Sequence, residues 1–241
     1  MTDPRLEIIG HRLSGVKRII AVSSGKGGVG KSVVATTLAL ALKEGGFQVG
    51  LLDLDFTSPS THVILGVEGL YPEEEYGIKP PQAYGMSYMS ITYYALDKPA
   101  PLRGADVSDA IIEMMAITRW EQLDFLIIDM PPGMGDATLD MVRLVKEIGF
   151  IVVSTPSRLA YETVRKQLIL LSRLRVPVLG VIENMVMNPS SFIRGQVEKE
   201  GASYLGEIGY DGSLEDALGD IEKLKATKFY KAISEISESL G

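Results

Sequence analysis

One octapeptide constrains the fold of this chain more than any other feature. Residues 25–32 read Gly-Lys-Gly-Gly-Val-Gly-Lys-Ser, directly after an apolar run at 19–23 and at the start of a helix-forming run at 30–42. Glycines at these positions let the backbone curl so that successive N–H groups converge on an anion, and the helix adds its positive end. The spacing G-x-x-x-x-G-K-S therefore predicts a phosphate-binding loop between a strand and a helix.

Short apolar segments alternate with longer helical ones along the rest of the chain. Predicted strands are residues 19–23, 48–53, 125–129, 150–154 and 178–182, with 78–82 and 86–93 inside the irregular stretch 66–101. Predicted helices are residues 30–42, 58–65, 105–119, 159–173, 190–201 and 228–240. Continuous apolar strands separated by helices indicate a parallel sheet. We predict an α/β fold of the P-loop NTPase kind, a doubly wound, mainly parallel sheet with helices on both faces, in one domain over residues 1–241.

The last two residues of the octapeptide identify its ligand. Gly25, Gly27 and Gly30 also fit the pattern G-x-G-x-x-G of a dinucleotide-binding turn, so the glycines alone do not decide. A dinucleotide turn has no need of Lys31 and Ser32, whereas a P-loop uses the lysine on the β- and γ-phosphates and the hydroxyl on Mg²⁺. We predict that ATP and Mg²⁺ bind to the loop residues Gly25, Lys26, Gly27, Gly28, Val29, Gly30, Lys31 and Ser32.

Carboxylates stand at the ends of two predicted strands. Asp53 and Asp55 end the second strand, where alternation places both on one side of the chain, and Asp129 ends the strand 125–129. Ligands of doubly wound sheets bind at the carboxyl ends of the strands, so these groups are expected beside the phosphates. Asp53 and Asp129 are predicted to serve Mg²⁺ together with Ser32, and the Gly133 N–H to contact the γ-phosphate.

Composition disfavours several classes of protein. The chain contains no cysteine, so it can form neither a disulfide nor a thiolate metal site of its own. Its 24 basic and 31 acidic residues give a net charge of −7, which makes nucleic acid and anionic lipid poor partners. No apolar run approaches the ~18 residues of a membrane helix, and the first residues lack the apolar core of a signal peptide. We predict a cytoplasmic protein that binds neither nucleic acid nor membrane.

Taken together, these motifs resemble one group of ATPases. Residues 26–32 are similar to the deviant P-loop of nitrogenase iron protein, the division-site and partitioning ATPases, and the Mrp-type iron–sulfur carriers. The stretches that narrow the resemblance to the Mrp type are Leu102-Arg103-Gly104, 120–124, 127–136, Ser154-Thr155-Pro156 and Glu183-Asn184-Met185. The similarity runs from about residue 16 to residue 211, which is nearly the whole chain.

This resemblance implies an ATPase that works as a face-to-face homodimer. Lys26 would reach across the dimer to the partner's nucleotide, Asp55 would position the attacking water, and Asn184 would contact the adenine. With Lys31, the first two would be the catalytic residues of ATP hydrolysis.

One departure from the Mrp pattern concerns the iron–sulfur cluster. Mrp-type carriers hold a bridging cluster through a C-x-x-C pair, where this chain has Asn188 and Ser191 with Pro189 retained. Neither side chain replaces a thiolate on iron, so no cluster is expected on this chain alone. The resemblance then implies an ATPase of iron–sulfur assembly whose partner is a cysteine-bearing homologue or an iron–sulfur apo-protein. The alternative is a nucleotide-switched, dimeric binding or positioning protein of the division-site or partitioning type.

Overall fold

The structure, a computed structural model, describes residues 4–95, 105–188 and 191–241. Residues 102–104, which carry part of the resemblance, lie outside these ranges, as does Pro189. The strands are β1 (Val16–Ser24), β2 (Val49–Asp53), β3 (Glu73–Glu74), β4 (Ile78–Lys79), β5 (Gln82–Ala83), β6 (Met86–Ser90), β7 (Leu123–Asp129), β8 (Ile148–Ser154), β9 (Val178–Val186) and β10 (Tyr204–Gly209). The helices are α1 (Arg5–Leu13), α2 (Lys31–Glu44), α3 (Thr61–Leu65), α4 (Thr92–Ala95), α5 (Ala105–Ile117), α6 (Asp136–Leu144), α7 (Arg158–Arg173), α8 (Ser191–Lys199), α9 (Leu214–Ala217), α10 (Ile221–Lys225) and α11 (Lys228–Glu238).

The central sheet has the strand order β10-β9-β8-β1-β7-β2-β6-β5 and is parallel except for the short edge strand β5. On β1, Val22 is in register with Asp129 of β7 on one side and Ile151 of β8 on the other. Asp129 is in register with Asp53 of β2. The chain therefore leaves β1 toward opposite sides of the sheet, and the carboxyl ends of these strands meet where ligands bind in doubly wound folds.

Helices cover both faces of the sheet. One face packs on α1, α5, α6, α7 and α8, and the other on α2, α3, α9, α10 and α11. Neighbouring residues of one strand divide between them, as Ile127 and Ile128 of β7 do, which explains the unbroken apolar runs. The doubly wound, mainly parallel fold predicted from the sequence is confirmed. No helix in the described ranges is long and apolar enough to cross a membrane.

The structure departs from the predicted elements where local chemistry interrupts a strand. The predicted strand 78–82 is instead two short strands, β4 and β5, because Pro80 and Pro81 lack the N–H that a ladder needs. The predicted strand 86–93 ends at Ser90, whose hydroxyl accepts the Thr92 backbone N–H at 3.3 Å as α4 begins. Helices α1, α6, α9 and α10 and strands β3 and β10 have no counterpart among the predicted elements; β10 is a half-buried edge strand without a continuous apolar run.

A close backbone approach joins the end of α3 to the segment after α9. Gly66 ends α3 with a φ of 63°, in the left-handed region, and a β-carbon there would overlap the carbonyl group of Gly219. The N–H of Gly219 in return donates to the carbonyl oxygen of Ile64 at 3.1 Å. Position 66 therefore needs glycine for its conformation and for the space.

We expect Gly66→Ala to destabilise the fold far more than Gly69→Ala. Gly69 has a similar φ of 67°, but no atom lies within 4 Å of where its β-carbon would stand. Its replacement should cost only the left-handed conformation, about 1 kcal/mol. The Gly66 variant adds a clash with backbone, for a loss of about 3 kcal/mol or more in the free energy of unfolding. Urea denaturation measures both, and equal losses would contradict the contact with Gly219.

Candidate nucleotide site

The octapeptide lies between β1 and α2, as predicted. Gly28 and Gly30 have φ angles of 77° and 82°, in the region that side chains rarely adopt. Lys26 and Gly27 are exposed. Helix α2 begins at Lys31, so its first backbone N–H groups have no carbonyl partner within the helix. Unpaired donors at a helix start beside a glycine-rich curl are suited to a phosphate group.

Helix α7 packs against the start of the loop. A β-carbon at Gly25 would overlap the side chain of Thr163, so the helix and the loop backbone are in direct contact. One turn further along α7, the buried Gln167 donates from Nε2 to the Ser23 hydroxyl at the end of β1, at 2.8 Å. These contacts fix where the loop leaves the sheet.

Asn184 supports the other end of the loop. It lies in β9, is 3% exposed, and donates from Nδ2 to the Val29 carbonyl oxygen at 2.9 Å. A β-carbon at Gly30 would overlap that Nδ2 atom. The next residue, Met185, is partly exposed and has a φ of 62°. Asn184 thus packs against the nucleotide loop, and its contact with an adenine stays a prediction.

Lys31 is the centre of a buried ionic cluster. Its side chain is 6% exposed, and its ammonium group pairs with Asp129. The same Nζ lies 3.1 Å from the Ser32 hydroxyl and 3.7 Å from Oδ2 of Asp55. Burial raises the pKa of Asp129 to about 7, although the Lys31 ammonium opposes the rise by favouring the charged carboxylate. The structure thus brings together four of the predicted site residues.

The donor set at this cluster fits Mg²⁺. Oδ2 of Asp129 is buried without a hydrogen-bond partner among the described residues, and the Ser32 hydroxyl lies beside the same lysine. Hard oxygen ligands of this kind are the ones Mg²⁺ prefers. No group of three or more His, Cys, Asp or Glu side chains in the described ranges could hold a metal ion. The protein therefore offers a part of a coordination shell, as expected of a metal shared with phosphates and water.

Asp53 has different partners, although Asp129 is its neighbour in the sheet. Its Oδ1 accepts the backbone N–H of Asp55 at 3.0 Å. Its Oδ2 accepts from Thr61 twice, from the backbone N–H at 3.2 Å and from the hydroxyl at 2.7 Å. Burial raises the pKa of Asp53, and the Thr61 hydrogen bond opposes that shift. The strand ends at Asp53, so alternation does not extend to Asp55.

Gly133, predicted to contact a γ-phosphate, lies at the same edge. It has a φ of 93°, and its N–H donates to the carbonyl oxygen of Ser24 at 2.8 Å. A cavity of about 190 Å³ borders Pro131, Pro132 and Gly133 and extends to the start of α6. The Gly133 amide thus lies beside the nucleotide loop, but in this conformation it donates its hydrogen bond to the Ser24 carbonyl oxygen.

Comparison with known proteins agrees with this geometry. The profile of the family described as "ParA: NUBPL iron-transfer P-loop NTPase" matches residues 15–218. The chain belongs to this family. It is 43% identical over 180 residues to a protein of Pseudomonas fragi named "Iron-sulfur cluster carrier protein", a match that covers 73% of this chain and 63% of that one. The resemblance seen in the motifs is therefore confirmed at the level of the family.

Solved structures show the same architecture. The nucleotide-binding protein of Archaeoglobus fulgidus, in complex with ADP and with cobalt found in it, is 33% identical with a TM-score of 0.75, over 91% of this chain and 92% of that one. The septum site-determining protein MinD of Pyrococcus horikoshii, complexed with Mg-ADP, is 22% identical with a TM-score of 0.69, over 92% and 95%. At that identity the second similarity speaks for the fold alone. The matched part of this chain spans less than two thirds of the length of the Pseudomonas relative.

Sequence reasoning missed several residues of the site. Thr61 and Tyr88 meet beside Asp53, with their hydroxyl oxygens 2.8 Å apart, and Thr163 and Gln167 support the loop. The hydroxyl run Ser58-Pro59-Ser60-Thr61 was a usable signal, since such residues begin helices and bind nearby backbone. No sequence signal pointed to Tyr88, because only the pairing of β2 with β6 brings it close to Asp53.

A second buried carboxylate lies next to Asn184. Glu183 is fully buried in β9, with Oε2 accepting from the Tyr204 hydroxyl at 2.8 Å. Its Oε1 has no hydrogen-bond partner among the described residues. Burial raises the pKa of Glu183 above its ordinary value of 4.5, so the fold favours the protonated acid.

We therefore expect Glu183→Gln to gain stability relative to the unchanged protein as pH rises. Below pH 4.5 the glutamate is protonated in both folded and unfolded chains, and the raised pKa costs nothing. Above that value the unfolded chain ionises first, so stability falls until the folded pKa is passed, and glutamine escapes this loss. Urea denaturation between pH 4 and neutrality measures the difference. Glu235→Gln, on an exposed position of α11, is the control and should stay near zero. A difference that does not change with pH would refute the assignment.

Proposed function

We propose that this chain binds ATP with Mg²⁺, hydrolyses it, and serves iron–sulfur cluster assembly without holding a cluster through its own side chains. The observation that carries the ATPase part is the buried cluster of Lys31 with Asp129 and Asp55, beside an intact glycine-rich loop. Burying these charges together costs desolvation energy, and buried charge clusters with shifted pKa values are concentrated at functional sites. The family match supports the iron–sulfur part, and the cytoplasm stays the predicted location.

In this proposal the triphosphate takes the Lys31 ammonium group away from its two carboxylates. Lys31 then stabilises the charge on the β- and γ-phosphates, and Asp55, freed from the lysine, orients the water that attacks the γ-phosphorus in line. Mg²⁺, held by Ser32 and Asp129, would neutralise phosphate charge. Catalysis comes from positioning and electrostatics, since the protein forms no covalent bond to the phosphoryl group.

Part of the proposed site comes from a second copy of the chain. Lys26 is exposed at the tip of the loop, whereas Lys31 is buried with the carboxylates. A lysine that points outward serves a nucleotide best from across an interface, as the resemblance to the deviant P-loop ATPases implies. We therefore propose a homodimer that closes over the nucleotide.

Replacement of the two lysines should separate binding from hydrolysis. Lys31→Ala should weaken ATP binding by about 100-fold or more, because each charged hydrogen bond contributes about 1.5–3 kcal/mol. Lys26→Ala should leave binding nearly unchanged and lower the turnover rate by about 100-fold or more, as the loss of a charge supplied in trans does. Calorimetry with Mg-ATP and phosphate release measure the two effects, with circular dichroism as a check of the fold. Equal losses of binding would contradict the role of Lys26 across the dimer.

The iron–sulfur part of the proposal depends on a partner. The chain contains no cysteine, and Asn188 stands where the resemblance places the first thiolate. Amide oxygens do not replace thiolates on iron. We therefore propose that a cysteine-bearing homologue or an iron–sulfur apo-protein holds the cluster, while this chain supplies a nucleotide-dependent step.

Anaerobic reconstitution with iron and sulfide tests this division of labour. The chain alone should take up no cluster, as judged by visible absorbance and bound iron. Added to a cysteine-bearing relative with Mg-ATP, it should change the rate at which that relative gains or releases its cluster. The matched control is the Lys31→Ala variant, which should have no such effect. Equal rates with and without the unmodified chain would remove the support for an assembly role.

A second candidate function is a nucleotide-switched positioning protein of the division-site or partitioning type. The contact between the Gly133 N–H and the Ser24 carbonyl favours it, because a backbone segment at the nucleotide loop is then able to exchange one partner for another. Binding to DNA and to liposomes, measured with and without Mg-ATP, tests this candidate. Binding that is the same in both conditions would count against it.

A further inference from the structure

The carboxylate of Asp53 accepts hydrogen bonds from both ends of the segment between Asp55 and Thr61. Oδ1 of Asp53 holds the N–H of Asp55 at 3.0 Å, and Oδ2 holds the N–H and hydroxyl of Thr61 at 3.2 and 2.7 Å. Asp55 in turn accepts the backbone N–H groups of Thr57 and Ser58 at 3.2 and 3.1 Å. The position of the Asp55 carboxylate near Lys31 therefore depends on how Asp53 is held.

A tyrosine from another strand completes this arrangement. The Tyr88 hydroxyl lies 2.8 Å from the Thr61 hydroxyl, and all three side chains of the chain Tyr88–Thr61–Asp53 are fully buried. A threonine hydroxyl has one proton, and a carboxylate only accepts. Thr61 therefore donates to Asp53, and Tyr88 donates to Thr61.

The phenol group is itself fixed by the sheet. Tyr88 pairs with Leu51 in the register of β6 and β2, two residues before Asp53 pairs with Ser90. Its ring also contacts Tyr93 edge to face, with centroids 6.0 Å apart. In this series of hydrogen bonds, Tyr88 is thus fixed in the core, while Asp53 at the other end holds the segment that carries Asp55.

We propose that Thr61, held by Tyr88, is a positioning residue for ATP hydrolysis. This inference rests on the proposed function. Thr61 orients Asp53, Asp53 fixes both ends of the segment 55–61, and the segment holds Asp55 at 3.7 Å from the Lys31 ammonium group. The hydrogen bonds of Asp53 with Asp55 and Thr61 involve no residue of the loop 25–32, so we expect hydrolysis to depend on them more than ATP binding does.

A purely structural role for the same hydrogen bonds makes a different prediction. Buried polar groups are usually satisfied, and removing one partner lowers stability wherever it occurs. Such a loss changes the melting temperature without separating kcat from KM. A positioning role lowers kcat while KM for ATP is retained, because it acts after the nucleotide is bound.

The test compares Thr61→Val, Thr61→Ser and Tyr88→Phe in the full chain with Mg-ATP. Thr61→Val keeps the shape and removes the hydroxyl, and it should lower kcat by about tenfold or more, as expected for a lost hydrogen bond to a charged group. Thr61→Ser restores the donor and should recover most of kcat. Tyr88→Phe should show a smaller fall, and the double variant with Thr61→Val should be no slower than Thr61→Val alone, since the proposal has Tyr88 act on hydrolysis through Thr61.

Thr118→Val is the matched control for stability. Thr118 is equally buried, and its hydroxyl donates to the Met114 carbonyl at the end of α5, before the start of β7 and outside the candidate site. The Thr118→Val variant should have a lower melting temperature and an unchanged kcat. Thr61→Val with wild-type kcat, or effects of Thr61→Val and Tyr88→Phe that add fully, would overturn the positioning role alone. An unmodified chain that shows no Mg-dependent hydrolysis would overturn the proposed function, and this inference with it.

Discussion

The ammonium group of Lys31 is buried among carboxylates, and much of the site is arranged around that pairing. Asp129 reaches it from the end of β7 and Asp55 from the segment after β2, so two strands and the first turn of α2 converge on one charge. Without the lysine, Asp129 would be an uncompensated charge in a nearly water-free place, which a fold tolerates poorly. The ion pairs thus hold together groups that the proposed ligand would separate.

The parallel sheet explains why residues distant in sequence meet there. The register of the sheet places Asp129 of β7 beside Asp53 of β2 and beside Val22 of β1. The carboxyl ends of these strands are therefore aligned by backbone pairing, without a contribution from side-chain contacts. Loop residues then differ in how they are held. The glycine-rich loop is packed against Asn184 and Thr163, whereas the segment after Asp53 is held through the hydrogen bonds of the Thr61 hydroxyl with Asp53 and Tyr88. The loop is thus held by side-chain packing, and the segment by the hydrogen bonds that Asp53 and Asp55 accept.

The parts of this site that could be predicted are those encoded locally. The octapeptide encodes its own turn and helix start, and Asp129 follows a short apolar run whose length is typical of a buried strand. What could not be predicted arises from tertiary neighbours. Asp53 and Asp55 look equivalent in sequence, yet Thr61 and Tyr88 hold the first while Lys31 faces the second. The same holds for elements: β10 and α6 have mixed polarity and become recognisable only beside the sheet.

The hydrogen bond from the Gly133 amide to the Ser24 carbonyl has a thermodynamic consequence for nucleotide discrimination. A ligand shifts a conformational equilibrium only by the difference in its affinity for the two states. In the proposed function the Gly133 amide contacts the γ-phosphate; a diphosphate lacks that group and would leave the amide paired with Ser24. A triphosphate would exchange that pairing, which contributes about 1 kcal/mol, for a hydrogen bond to a charged acceptor. Under the proposed function, discrimination between the two nucleotides would then include an exchange of acceptors on one peptide group.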